Sequence, residues 1–191
     1  MMINRPPPQN KGSETTARIL AAARDVFSES GFDAARVDEI ARRAGVNKAT
    51  LYYHIGNKER LYETVILGVM SRVIDAAARD IQEAPTPEEK LRTYIRNVAQ
   101  TMDRNPWMPP IMLREMASGG RNFPVAVVAD MVRILTILGG IIGDGVRRGV
   151  FAAASPPPVP FLIMGALAFS KTSAPLREKT PSIPGVWRGG G

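Results

Sequence analysis

Apolar residues Ile19, Leu20, Ala23, Val26 and Phe27 recur three and four apart, the spacing of a helix that buries one stripe. The pattern predicts a helix from about Glu14 to Ser30, with Ser13 as its cap and Gly31 as its end. Phe32 then anchors the connection to the next element. A shorter repeat, Val37, Ile40, Ala41 and Ala44, halts at Gly45, and Val46 packs into the turn. Asn47 is placed to cap a helix over Lys48–His54. Only glycine takes the positive backbone angle cheaply, so Gly45 lets one helix stop and the next cross it sharply. Asn57 is the expected cap of a fourth helix, from Lys58 to about Glu83, through Leu61, Val65, Leu67, Val69, Val73 and Ile74.

The rest of the chain continues in helical periods broken by proline and glycine. Pro85 and Pro87 interrupt it, and Thr86 is positioned to start a helix over Pro87–Asp103. After Asn105-Pro106, a helix over Trp107–Ser118 is expected to be interrupted at Pro109-Pro110 and ended by Gly119-Gly120. A longer helix, from about Phe123 to Arg148, contains Gly139, Gly140, Gly143 and Gly145. These would admit close helix approach at a propensity cost of roughly 1 kcal/mol each. Beyond Ser155 and its three prolines, Val159–Ser170 reads as one more helix. No β-branched alternating run occurs, so the expected fold is all-α. Four segments follow: a disordered, weakly basic arm (1–13, with Arg5 and Lys11), a helix-turn-helix unit (14–60), a larger helical domain (61–173) and an irregular Pro/Gly-rich tail (174–191).

Composition narrows the function. The 191 residues are 45% hydrophobic, enough for a buried core. The formal charge of +7 and pI near 10.1 suit a polyanionic partner. Both parts share the excess: residues 1–60 hold ten Lys/Arg against seven Asp/Glu, and residues 61–191 hold fifteen against eleven. Absence of cysteine excludes disulfides and thiolate metal sites. With His54 the single histidine, and no paired acid/base motif, an enzyme, a metal site and a cofactor are not expected. The N-terminal residues lack the apolar core of a signal peptide. Val125–Ile142 carries Asp130 and Arg133, and Val159–Phe169 falls short of the ~20 residues a bilayer needs. The expectation is a cytoplasmic protein with no membrane partner.

The helix over Lys48–His54 concentrates donors: Lys48, Thr50, Tyr52, Tyr53 and His54. That is the chemistry of a helix lying in a DNA groove. The run IARRAGVNKATLYYHIGNKERL resembles the DNA-binding signature of the TetR family of bacterial transcriptional regulators. Ile40-Ala41, Ala44-Gly45-Val46, Thr50-Leu51-Tyr52, His54, Lys58-Glu59 and Leu61 carry the match, over about a quarter of the chain. Three positions depart from the family pattern. Arg36 stands where a phosphate-touching Thr or Ser is usual, Ile55 replaces a Phe, and Asp38 occupies a region where some members carry a base-reading cation.

Roles at the DNA follow from position and from the resemblance. Lys48, Ala49 and Thr50 lie on the turn that reaches base edges: Lys48 toward guanine, Ala49 and the Thr50 methyl toward a thymine methyl. Asn47 caps this helix, and Arg36 begins the one before it. The resemblance assigns Tyr52 to a phosphate. One tyrosine of the adjacent pair is expected to pack on the first helix, and Tyr53 is open between core and DNA. His54 is read as a phosphate donor, against the plainer reading of a ring packed at a helix end. Lys58 opens the fourth helix, whose N–H groups and positive end suit a phosphate. Arg42 and Arg43 read as solvated charges rather than contacts, with a reach from Arg43 to the DNA backbone as the alternative.

The second half has another texture. Of nine methionines, Met70, Met102, Met108, Met112, Met116, Met131 and Met164 lie beyond residue 69, among Trp107, Phe123, Phe161 and Phe169. Methionine suits an adaptable apolar pocket, although such a stripe is as often ordinary core. The resemblance favours the pocket and implies a small, largely apolar effector. The candidate contacts are Met102, Trp107, Met108, Met112, Met116, Phe123, Val127, Met131 and Phe161. It also implies a homodimer that binds double-stranded operator DNA as a repressor and releases it when the effector binds. The alternative is a helical small-molecule-binding protein that has lost DNA binding. Members of the family usually end in two helices that pair across a dimer, whereas this chain offers one short helix and an aperiodic tail.

Overall fold

A computed structural model describes residues 11–152 and 158–179. The Arg5 half of the expected arm, Ser155 with its next two prolines, and the tail beyond Lys179 lie outside the described residues, as does the Val73 side chain. Among the described residues every regular element is helical, and the chain divides into two compact units, residues 1–67 and 68–191.

In the first unit, α1 (Lys11–Ala34) opens three residues before Glu14 and continues past Gly31, whose backbone (φ 75°, ψ 177°) breaks the helix before a last turn. The expected end at Gly31 is therefore a kink. Ile19, Ala22, Ala23, Val26 and Phe27 are buried. Helix α2 (Val37–Ala44) buries Ile40, Ala41 and Ala44. Gly45 follows in the left-handed region (φ 65°, ψ 37°), and the Val46 N–H donates back to the Ala41 carbonyl at 3.0 Å. Helix α3 (Lys48–Ile55) starts at Asn47, whose side chain accepts from the Thr50 N–H at 2.7 Å. Helix α4 (Lys58–Glu83) starts likewise, with Asn57 accepting from the Arg60 N–H at 2.8 Å. Each such cap contributes about 1 kcal/mol.

Phe27, Phe32 and Tyr62 form an aromatic cluster that ties α1 to the start of α4. The Phe27 and Tyr62 rings meet edge-on at 4.9 Å, and those of Phe32 and Tyr62 lie 5.0 Å apart. Leu61, Tyr62, Val65 and Ile66 are all buried, and the first unit extends through Leu67, beyond a boundary at residue 60.

In the second unit, Thr86 caps α5 (Pro87–Arg104), accepting from the Glu89 N–H at 3.2 Å. Helix α6 (Met108–Ala117) runs unbroken through Pro109 and Pro110, against the expected interruption. Both prolines fall in its first turn, where a missing N–H costs nothing because none has an intrahelical partner. The Ser118 hydroxyl donates to the Glu115 carbonyl at 2.9 Å, and the buried Glu115 carboxylate accepts from the Asn122 N–H and side-chain amide, which shapes the turn into α7 (Val125–Arg147). Helix α8 (Pro158–Thr172) packs on α5, α6 and α7. A short α9 (Ala174–Lys179) follows where the sequence suggested an irregular tail. Six residues make fewer than two helical turns and leave almost no periodic signal.

Two expectations about α7 need correction. At Gly139 and Gly140 a methyl group would meet nothing within 4 Å in this chain, so neither admits another helix of its own unit. Gly145 is the tight position, and what approaches it is the Phe151 ring, which a Cβ there would overlap. Two charges also do not make this segment too polar for a membrane. By length and composition alone, Val125–Arg147 is apolar enough to span one, with mean hydropathy 2.1, a test that core helices also pass. Here both charges are engaged by α4, Ser71 donating to Asp130 at 2.8 Å and Arg133 to Asp75 at 2.9 Å.

Candidate nucleic-acid interface and ligand cavity

The first unit presents α3 by burying one side of it. Leu51 and Ile55, four apart, face the core, while Lys48, Ala49, Tyr52 and Tyr53 are exposed. Tyr53 is 87% exposed and Tyr52 41%, so neither tyrosine fills the place expected against α1. The reason is angular: residues 52 and 53 turn 100° and 200° away from Leu51, which takes that place with Ile55. Thr50 is half-buried, and the Asn47 carbonyl oxygen is committed to its N–H.

Arg36 is exposed at the start of α2 and makes no side-chain cap bond. Its neighbours form two charge constellations. Arg43 clamps α1 to α2, donating to both oxygens of Glu29 and to Glu39, each at 2.7 Å. Arg42 also donates to Glu39. These guanidinium bonds, Arg42 first and Arg43 next, hold the Glu39 carboxyl down at about 2. Arg43, read as a solvated charge, is thus a brace between α1 and α2, while Arg42 stays 72% exposed on the surface of α2. The second constellation is a pair: the Lys48 ammonium lies 3.1 Å and 3.2 Å from the two carboxylate oxygens of Asp38. Hydrogen bonding to Asp38 raises the Lys48 ammonium above its ordinary range.

His54 and Lys58 have partners inside the unit. The Thr16 hydroxyl donates to the Gly12 carbonyl at 2.9 Å and lies 3.3 Å from His54 Nδ1. Nδ1 of the His54 ring is thus engaged inside the unit by Thr16, a contact the sequence did not reveal. The Lys58 ammonium sits 4.6 Å from the centre of the Phe32 ring and donates to the Asp33 carbonyl at 3.3 Å.

The second unit encloses a cavity of about 260 Å³. Of the nine residues proposed from sequence, Met102, Met108, Met112, Met116, Met131 and Phe161 line it. Trp107, Phe123 and Val127 do not. Trp107 stands at the N-cap of α6, Phe123 folds over Gly120 in the turn, and Val127 is fully buried elsewhere on α7. Met70 and Met164 complete the wall, so all seven methionines beyond residue 69 meet at one space. Val69 of α4, Val98 of α5, Leu113 of α6, Ile134 and Leu135 of α7, and Gly165 and Ala168 of α8 also contribute, and look like ordinary core in the sequence. Thr101 is the one polar side chain in the wall, and its hydroxyl donates to the Asn97 carbonyl at 2.7 Å. Beside the cavity, the buried Tyr94 hydroxyl donates to the Met164 sulfur at 3.3 Å, and burial pushes its pKa up. Arg96, Arg114 and Glu115 do not line the wall.

Residues 19–65 match the family model described as bacterial regulatory proteins, tetR family. Over 163 residues the chain is 28% identical to the HTH-type transcriptional regulator RutR of Escherichia coli (strain K12), covering 84% of this chain and 75% of that protein. The TetR-family regulator PfmR of Thermus thermophilus superposes with a TM-score of 0.69 at 27% identity, over 81% of this chain and 85% of that one. FadR of Bacillus subtilis, solved in complex with stearoyl-CoA, shares the fold with a TM-score of 0.66 at 23% identity, over 85% and 88%. With the glycine elbow, the outward α3 and the all-helical second unit, these likenesses make the chain similar to the DNA-binding transcriptional regulators of the TetR family.

Proposed function

We propose that the protein is a repressor that binds operator DNA as a homodimer and lets it go when a small, apolar effector enters the second unit. The observation that carries the DNA half is the outward face of α3, held at its angle by Gly45 and capped by Asn47. Lys48, Ala49 and Thr50 read base edges from its first turn, and Tyr52, Tyr53 and His54 meet phosphates. Arg36 and the N-terminal turn of α4 at Lys58 hold the backbone on either side. Two such helices enter successive major grooves about 34–36 Å apart.

The effector half rests on the cavity wall, which has no ionisable side chain among its lining residues. A charge buried there would lose its hydration without a partner, so the buried part of the effector is uncharged and hydrocarbon-like. FadR, with its stearoyl-CoA, is a relative of the same fold whose occupant has such a part. Occupancy releases DNA to the extent that the effector binds one setting of α4 better than the other.

A second reading, a helical binding protein that does not engage DNA, draws on the Asp38 carboxylate, 73% exposed beside the proposed base-reading lysine. Titrating effector-free protein against duplex DNA from around its own gene, at low salt, decides between them. Binding that a long-chain apolar ligand reverses is the expected result. No binding overturns the repressor reading and leaves the second.

A further inference from the structure

The ion pair between Asp38 and Lys48 does not explain itself as a stabilising contact. Both side chains are exposed, 73% and 50%, and such pairs contribute little to folding. The brace around Glu39 already links α1 with α2. A carboxylate on a face that approaches phosphates is also repelled by them, so its presence weakens binding to every sequence. Its position is what distinguishes it. Asp38 is the second residue of α2 and Lys48 the first of α3, and the carboxylate spans the turn to grip the ammonium with both oxygens, at 3.1 Å and 3.2 Å.

We infer that Asp38 is a specificity-determining residue that positions Lys48: it holds the ammonium for a base edge and withholds it from phosphates. Lysine is a point charge on a flexible four-carbon stem, and any phosphate within reach satisfies it. Unrestrained, Lys48 would add affinity for all DNA alike. Gripped by Asp38, it keeps a donor for a guanine acceptor but releases no further counterion, so sequence-independent binding is lowered more than operator binding. The inference rests on the DNA-binding reading above.

The test uses full-length protein, a duplex it enriches from a randomised pool, and a mixed-sequence duplex. Asp38→Asn, on an exposed side chain, is expected to tighten mixed-sequence binding several-fold and to steepen its log–log salt dependence by about one unit. The selected duplex should gain less, so the ratio between the two falls. Asp38→Asn made on top of Lys48→Gln should tighten mixed-sequence binding clearly less than Asp38→Asn alone does, because only the carboxylate's own repulsion is relieved and no ammonium remains to be released. An unchanged mixed-sequence affinity and slope in Asp38→Asn would overturn the inference. So would an equal tightening with and without Lys48, which would make Asp38 a general repulsive charge. Loss of preference at one base pair, with mixed-sequence binding unchanged, would overturn it by making Asp38 itself the base reader. Wild-type protein that enriches no duplex fails earlier and differently, since it removes the regulator reading on which the inference stands.

Discussion

The two units solve opposite problems. The first unit buries Phe27, Ile40, Leu51 and Leu61 fully, and its polar residues cap and brace the helices that direct α3 outward. The second leaves a space unfilled and gathers seven flexible methionines around it. A reading surface must hold its side chains to within fractions of an ångström, so a tight core and capped helix ends serve it. A cavity that admits an apolar molecule needs walls that repack, which unbranched thioether chains do better than β-branched ones. Rigidity and accommodation therefore lie in different stretches of one chain.

That contrast is most directly broken by truncating the first core. Phe27→Ala removes a fully buried ring from the aromatic cluster and is expected to cost about 3–5 kcal/mol in urea unfolding. A loss below about 1 kcal/mol would mean the first unit is as yielding as the second. Filling the cavity is the converse experiment. A Cβ at Gly165 meets nothing within 4 Å, and the residue lines the space. Gly165→Leu should keep the fold while weakening binding of a fluorescent long-chain probe at least tenfold, about 1.4 kcal/mol. Unaltered probe affinity would place the ligand elsewhere.

Smaller effects sharpen the first unit alone. Lys58→Ala should weaken binding to all duplexes about equally and lower the salt slope by roughly one unit. An effect confined to one operator position would contradict a backbone role. The Glu39 brace predicts the weakest signal, one of pH. The carboxyl titrates at about 2 when folded, against 4.5 for the unconstrained group. Its stabilising contribution is therefore complete above pH 4.5 and disappears as pH falls toward 2. Glu39→Gln should flatten the stability profile in that window and leave its slope near neutrality unchanged, as followed by thermal unfolding. Because the groups are exposed, the change will be slight.

Local chemistry made the first unit legible. Gly45, Asn47 and Asn57 act on residues within four positions of themselves, so their roles follow from spacing alone, and the period of Ile19 to Phe27 fixes which face of α1 is inside. The same reasoning stumbled where direction around a helix axis mattered. Adjacent Tyr52 and Tyr53 both point outward because Leu51 and Ile55 take the inner face. Trp107, Phe123 and Val127 stand close in sequence to cavity residues but face other neighbours.

By itself, then, the sequence determined the helices, their caps, the glycine elbow between α2 and α3, and the methionine-rich character of the second half. Those properties arise from each residue's own conformational and hydrophobic preferences. Tertiary structure alone decided which methionines share a cavity, that Arg43 is a brace, that His54 faces Thr16, and that Asp38 holds Lys48. Each of these depends on the angle at which separate helices cross, and that angle is set by how whole side chains fit together in the core.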